Sequence, residues 1–281
     1  MVYKILIVGL KRQDAGKTSL ALALLTHLRD NGYNACAFKP RAGNNVWYDY
    51  DIVYEVLSQG RLYGSDAARL KAASALGSED KANMEELINP VHRLWAEPPL
   101  INPGTQIYGF IIDRVTLEFK DGERTLVLEN ETLSVKYRCP AWLLAPLRAK
   151  ASSIYHVHDL TTLNTLIKDY YNLAIELAYK KIIEEHECVV IESYSDIALP
   201  WNGLKDLNAV IGIKPGLIAA FDPKKYLAAV QIATSTYSQE ELATAKIIEL
   251  LQPLKELRTT PFRSEEVVQG LKEKIHILLH V

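Results

Sequence analysis

A short apolar run, Lys4-Ile5-Leu6-Ile7-Val8, leads through a loop to Gly16-Lys17-Thr18 and then directly into a helical pattern. Strand, loop and helix in that order constrain the chain more than any other feature. A strand that feeds a helix through a tight loop turns backbone N–H groups toward one point. The helix carries Leu20, Ala23, Leu24 and Leu28 on one face and stops at Asn31-Gly32, a common C-cap sequence. Further apolar runs of strand length are Ala35-Cys36-Ala37-Phe38, which ends at Lys39-Pro40, then Cys188-Val189-Val190-Ile191 and Ala209-Val210-Ile211-Gly212-Ile213. Continuous runs of this kind suit strands buried on both faces of a parallel sheet. Residues 226–234 read as a further strand and 254–257 as a last short one, with helices over 161–185, 239–251 and 264–275. The alternation predicts an α/β fold with a doubly wound, mainly parallel sheet.

Residues 105–145 break that rhythm. The run from Phe110 to Phe119 is rich in β-branched and aromatic residues, Lys120-Asp121-Gly122-Glu123 is a hairpin signal, and Thr125-Leu126-Val127-Leu128 follows. Leu133-Ser134-Val135-Lys136-Tyr137 offers a third strand. This stretch is expected to be an antiparallel β-meander inserted into one α/β domain that spans residues 1–281.

Composition narrows the function classes. A chain of 281 residues with 48% hydrophobic residues buries a full core. Its formal charge of -2 gives no general attraction to nucleic acid or an acidic membrane. Cys36, Cys139 and Cys188 form no C-x-x-C pair, which argues against a metal knuckle and a secreted disulfide framework. The beginning of the chain lacks a signal-peptide pattern, and no apolar run is long enough to cross a bilayer. A cytoplasmic chain without membrane or nucleic-acid partners is expected.

Gly16-Lys17-Thr18 stands where a Walker A loop requires it, after a buried strand and at a helix start. The P-loop NTPase reading makes Gly9, Asp14, Ala15, Gly16, Lys17, Thr18 and Ser19 the phosphate-binding segment. Lys17 would bridge the β- and γ-phosphates of ATP, and the Thr18 hydroxyl would coordinate Mg²⁺. The usual motif has glycine five residues before Gly16, where this chain has Lys11; its earlier glycine is Gly9. A chance Gly-Lys-Thr at a helix start is the plain alternative, and the strand–loop–helix context weighs against it. Lys39, straight after the second strand, faces the same crevice of a doubly wound sheet and would hold a reacting anion. A solvated lysine beside a turn proline fits its position equally well. Glu192 ends the run after Ile191, where a nucleotide-bound metal needs a carboxylate, although a strand-end acid is also a common helix cap. His156 and His158 form a His-x-His without a third ligand signal and read as surface decoration. Lys224-Lys225 reads as a solvated face.

Taken together, these residues resemble dethiobiotin synthetase, of a P-loop class that includes cobyrinate amidases and plasmid-partition ATPases. Residues 9–19 resemble that family's G-T-D-T-x-x-G-K-T loop, one residue longer here. Phe38-Lys39-Pro40 resembles its Y-K-P, and Gly60-Arg61-Leu62-Tyr63-Gly64-Ser65-Asp66-Ala67 resembles its G-x-R-x-S-D-A. Asn89-Pro90 with Ala96-Glu97-Pro98 resembles its substrate-pocket stretch, and Val190-Ile191-Glu192 its V-E-G-A-G-G. Ile211-Gly212-Ile213-Lys214-Pro215-Gly216 resembles its V-G-V-K-x-G, a strand and helix start near a dimer interface. The resemblance implies Mg²⁺ held by Thr18, Asp66 and Glu192, with Lys17 and Lys39 as catalytic lysines. It also implies a homodimer and an ATP-dependent ligase that phosphorylates a carboxylate or carbamate of a small anionic substrate.

The chain also departs from the family. Ser193-Tyr194-Ser195-Asp196 replaces a glycine-rich turn, Ala219 stands where the family has a substrate-binding asparagine, and the meander has no counterpart. Poor activity as a dethiobiotin synthetase is therefore expected. The nucleotide base is expected near Thr234-Ser235-Thr236 and Pro261, beyond the last two candidate strands. A rival reading is an ATP-driven dimeric switch resembling the partition or metallochaperone ATPases, with Lys11-Arg12 reaching a partner's phosphates.

Overall fold

The computed structural model describes residues 2–75, 83–96, 109–133, 139–237, 241–261 and 266–278. The chain divides into two compact units, one of Met1–Pro40, Arg69–Ala82 and Ile182–Val281, the other of Arg41–Ala68 and Asn83–Lys181.

In the first unit, β1 (Tyr3–Gly9) shows no polar-out alternation, and Ile5, Leu6, Ile7 and Val8 are fully buried. That is the pattern of a strand covered on both faces. It lies between β8 (Cys188–Glu192) and β9 (Ala209–Lys214), parallel to both, and β2 (Ala35–Phe38) extends the sheet beyond β8. The full order is β11-β10-β9-β1-β8-β2. The helix after β1, α1 (Lys17–Asp30), packs against these strands and against α10 (Val267–Leu278), so Leu20, Ala23, Leu24 and Leu28 are buried as expected. It ends in a Schellman motif, with Gly32 N donating to Arg29 O and Tyr33 N to Leu28 O, and Gly32 at φ 83.

Two expectations are corrected in this unit. Lys214-Pro215-Gly216 does not open a helix. Gly216, at φ 83, turns the chain into β10 (Leu217–Phe221), antiparallel to β9, and β11 (Lys255–Arg258) pairs antiparallel with β10. Residues 226–234 are not a strand but the body of α8 (Pro223–Tyr237). Their buried residues Tyr226, Ala229, Val230 and Ala233 follow helical spacing, which overrides the apolar-run reading. The helix expected over 239–251 is observed as the shorter α9 (Thr244–Ile248), and the one expected over 264–275 as α10.

The second unit is built on a five-stranded sheet of order β3-β4-β5-β6-β7. Its strands are β3 (Arg41–Asn45), β4 (Val91–Trp95), β5 (Phe110–Phe119), β6 (Gly122–Asn130) and β7 (Ser153–Val157). The β5–β6 hairpin stands where the meander is expected, with Phe119 opposite Gly122. Residues 105–108 and 134–137, at the meander's start and in its third strand, lie outside the described residues. The sheet also takes in β3, β4 and β7, and its outer pairs β3–β4 and β6–β7 are parallel. Helices α2 (Tyr50–Ser58) and α5 (Ala141–Lys150) bury Val53, Leu57, Leu143 and Leu147 against Leu94, Ile112 and Val127. The short α4 (Met84–Ile88) presents Glu85 and Glu86 to Arg61. Residues 160–185 are helical throughout, as α6 (Leu160–Leu166), a π-helical turn (Ile167–Tyr171) and α7 (Asn172–Glu185).

This interior is unusually charged. Arg93 on β4 grips Asp113 on β5 through both guanidinium arms, at 2.7 and 2.6 Å, and the Tyr171 hydroxyl donates to the same carboxylate. Fully buried Arg114 donates to the carbonyl oxygens of Leu62, Asn89 and Pro90 and to Thr116 Oγ1. Among the described residues, no helix of either unit is long and apolar enough to cross a membrane.

Candidate functional site

The parallel pairing of β1 with β8 and β9 brings the end of β1 beside Glu192 and Ile213. From there residues 10–16 form a loop tied back by Leu10 N donating to Ile213 O at 2.9 Å. Gly9 is required by close approach. A Cβ there would stand 2.8 Å from Lys11 O and 3.0 Å from Ser195 O, both backbone atoms. Asp14 and Gly16 have left-handed backbones, φ 50 and φ 92. Left-handed Gly16 followed by helical Lys17 turns successive N–H groups to one side, a concavity that suits an anion. Gly16, the N-cap of α1, supplies no side-chain cap, and the first turn holds no acidic residue. The positive end of this 14-residue helix is thus not neutralised by its own sequence. Ala15 is buried, while Lys17, Thr18 and Ser19 are half-buried in the first turn.

Three expected residues meet at one carboxylate. Glu192 is 1% exposed at the end of β8. Its Oε1 accepts from Thr18 Oγ1 at 2.9 Å and from Lys39 Nζ at 2.8 Å. Its Oε2 is buried with no hydrogen-bond partner. Lys39 is itself buried, not a solvated turn lysine. A buried carboxylate oxygen left without a partner is costly, and a cation is the ligand that such an atom accepts best. The Thr18 hydroxyl spends its proton on Oε1, which leaves its own oxygen lone pairs for a metal. Two oxygen donors of this kind fit Mg²⁺, which takes few protein ligands and completes its shell with water and phosphate.

Lys17 Nζ donates to the carbonyl oxygen of Ser195 at 2.5 Å. That carbonyl belongs to the Ser193–Asp196 turn that replaces the glycine-rich turn noted in the sequence. Ser193 N donates to Ile7 O, and Thr244 N and Oγ1 both donate to Asp196 O, so the turn is tied at both ends. Sequence reasoning did not find the Ser195 contact, because the group involved is a backbone atom.

The remaining expected residues are placed as follows. Asp66 lies in the first turn of α3 (Ser65–Ala73), in the second unit. Thr234 and Ser235 lie on α8, so they do not follow a strand end, and the Ser235 hydroxyl donates to Gln231 O within the helix. Pro261 is exposed three residues beyond β11, whose end aligns through Leu217 with the end of β9. Asn89, at its part of the resembling stretch, is buried; its amide donates to Val91 O and its Oδ1 pairs with His92 Nδ1. Glu97 and Pro98 lie outside the described residues. Ala219 is buried in mid-strand on β10.

Comparison with known protein families gives no match, and comparison with curated proteins gives none either.

His156 has ligand-type neighbours that the sequence did not signal. Its Nδ1 lies 3.1 Å from Glu131 Oε1, and ligand atoms of Glu129, Glu131 and His156 fall within 4.8 Å of one another. The pairing of Glu129 with His156 across β6 and β7 creates that proximity. Both Glu129 oxygens already accept from Arg148, at 2.5 and 2.9 Å, so this carboxylate is neutralised by the protein.

Proposed function

We propose that the chain binds Mg-ATP on residues 9–19 and uses it to phosphorylate a carboxylate or carbamate of a small anionic substrate, as a cytoplasmic homodimer. The observation that carries this reading is the buried, unpartnered Oε2 of Glu192 beside Thr18, at the uncapped start of α1. Lys17, and the N–H groups around Gly16, would hold the phosphates, and Lys39 would face the reacting group. Phosphoryl transfer needs mostly positioning and charge stabilisation, for which these groups suffice in kind. Asp66 as a further metal ligand rests on the resemblance to dethiobiotin synthetase alone. Tyr194 and Ala219, in place of the family's glycine and asparagine, speak for a different substrate from that family's.

A second reading, the dimeric switch, is favoured by the exposed Lys11 and Arg12 on the same loop. One experiment separates the two and tests both. Calorimetry with Mg-ATP is expected to show binding by the wild-type chain. ATP turnover is then followed with and without a panel of small carboxylates and amines. Turnover that depends on an added acceptor supports the ligase, and slow turnover with ATP-dependent dimerisation supports the switch. A chain that takes up no Mg-ATP refutes both.

A further inference from the structure

We propose that Lys39 makes cation binding at Glu192 conditional on an oxyanion, so that the site takes up a divalent cation and a phosphate or carboxylate group as a pair. The proposal deepens the Mg-ATP reading and rests on its assignment of Glu192 to the cation.

Without ligands, one buried carboxylate faces one buried ammonium. Lys39 is 6% exposed and Glu192 1%, and their contact is 2.8 Å. A buried pair of this kind is tolerable because the charges cancel. A divalent cation on Oε2 would sit on the same carboxylate that holds the Lys39 ammonium on Oε1. Three positive charges would then share one negative charge where water screens little, and like charges that close repel strongly. The cation must stay out, or Lys39 must find another anion. The lysine has the means to do so. Its backbone follows β2 directly, while its ammonium rides on a flexible four-carbon stem.

Lys17 provides the contrast. It rests on the neutral carbonyl of Ser195, which any oxyanion outcompetes, and so it needs no cation to be released. Lys39 rests on a full charge and does. Linkage then works in both directions: an oxyanion on Lys39 raises the cation's affinity, and the cation raises the oxyanion's affinity by the same factor.

The test uses Mn²⁺ as the cation, with free ion counted by its paramagnetic signal, on the full chain without nucleotide. Lys39→Met is expected to bind Mn²⁺ at least about tenfold tighter than wild type, within the usual range of coupling between sites. Adding Glu192→Gln to that variant should erase the gain. Inorganic phosphate should raise Mn²⁺ binding by the wild type, after correction for the ions' own complex, and should have no such effect on Lys39→Met. Equal or weaker Mn²⁺ binding by Lys39→Met overturns the proposal, as does a phosphate effect of equal size in both proteins. A purely structural role for Lys39 predicts no gain in affinity on its removal. Circular dichroism checks the variant's fold. If it is unfolded, the wild-type phosphate titration decides, and no response there overturns the proposal. Because no nucleotide is present, a chain that ignores ATP yet shows the Lys39 effect sinks only the ATP reading. Mg-ATP binding without the Lys39 effect sinks only this inference.

Discussion

The amine of Lys17 is held at 2.5 Å by the carbonyl of Ser195, a residue whose own backbone is left-handed at φ 46. The contact is partly exposed and made to a neutral group, so removing it should cost only about 0.5–1.5 kcal/mol of stability. Lys17→Ala is therefore expected to fold, with a urea midpoint close to wild type, and to lose at least about tenfold in Mg-ATP affinity, the effect of about 1.4 kcal/mol. Unchanged affinity by calorimetry would remove Lys17 from the site.

Ser195 itself should tolerate glycine and resist β-branched residues. Ser195→Gly keeps the backbone in an easy conformation, whereas Ser195→Val should destabilise by about 1–3 kcal/mol. Equal urea midpoints for the two variants would contradict the left-handed backbone.

Gly9→Ala places a methyl group 2.8 Å from one backbone oxygen and 3.0 Å from another. Neither oxygen can swing away as a side chain does. A loss of about 1–3 kcal/mol is expected from the strain, together with weaker nucleotide binding. Wild-type behaviour in both respects would show that the loop yields more easily than its contacts imply.

Much of this site was legible in the sequence because its residues end recognisable elements. β1, β8 and β9 are uninterrupted apolar runs, and Glu192 and Gly16-Lys17-Thr18 follow two of the runs at fixed places. What was lost had less pattern to read. β3 is Arg-Ala-Gly-Asn-Asn, with no strand signal at all, and it pairs only because β4 offers it an edge. β4 and β5 carry Arg93, Asp113 and Arg114 inside, where charge suggests a solvent face until the partners are known. The α8 segment mixes alanine with isolated β-branched residues, and its helical stripe was masked by a run that also suits a strand. Pro215-Gly216 was read through the resemblance as a helix start, although proline and glycine together serve a turn equally well.

The Arg93–Asp113 pair should prove far costlier to break than to replace. Asp113 is fully buried, so Asp113→Leu alone leaves a mostly buried guanidinium and is expected to cost about 3–5 kcal/mol. Arg93→Met with Asp113→Leu should recover most of that loss. Additive losses in this double-mutant cycle would mean that the two groups act independently.

Arg114 has no carboxylate among its four acceptors, and burial pulls its guanidinium down to about 10, with Glu86 and Glu123 opposing from a distance. Arg114→Met strands buried carbonyl oxygens of Leu62 and Asn89. A loss of about 2–5 kcal/mol is expected, and Arg114→Lys should not restore it, since one ammonium cannot replace the fork. Full rescue by lysine in urea unfolding would refute the bracing role.

Burial also holds the Glu123 carboxyl above its ordinary range, with Asn83 opposing and Glu118 and Glu86 adding to it. A carboxyl whose folded pKa is raised favours the fold while protonated. That contribution is present below the unfolded value and lost as pH rises through the folded one. Glu123→Gln should therefore be more stable than wild type near neutral pH, with the gap closing toward about pH 4, where both states of the wild-type carboxyl are largely protonated. A gap that widens on acidification would reverse the sign and the argument.

The parallel neighbours of β1 carry a consequence for synthesis. Thr18 and Glu192 are separated by 174 positions, and β1 can pair only with strands made as late as β8 and β9. At ribosomal speeds the first strand waits about 10–35 s for its partners. Through that interval an apolar segment with two open edges emerges while the other sheet is still being assembled. Such a segment is a natural client for a holding chaperone, and the nascent chain should depend on one more heavily than the finished protein does.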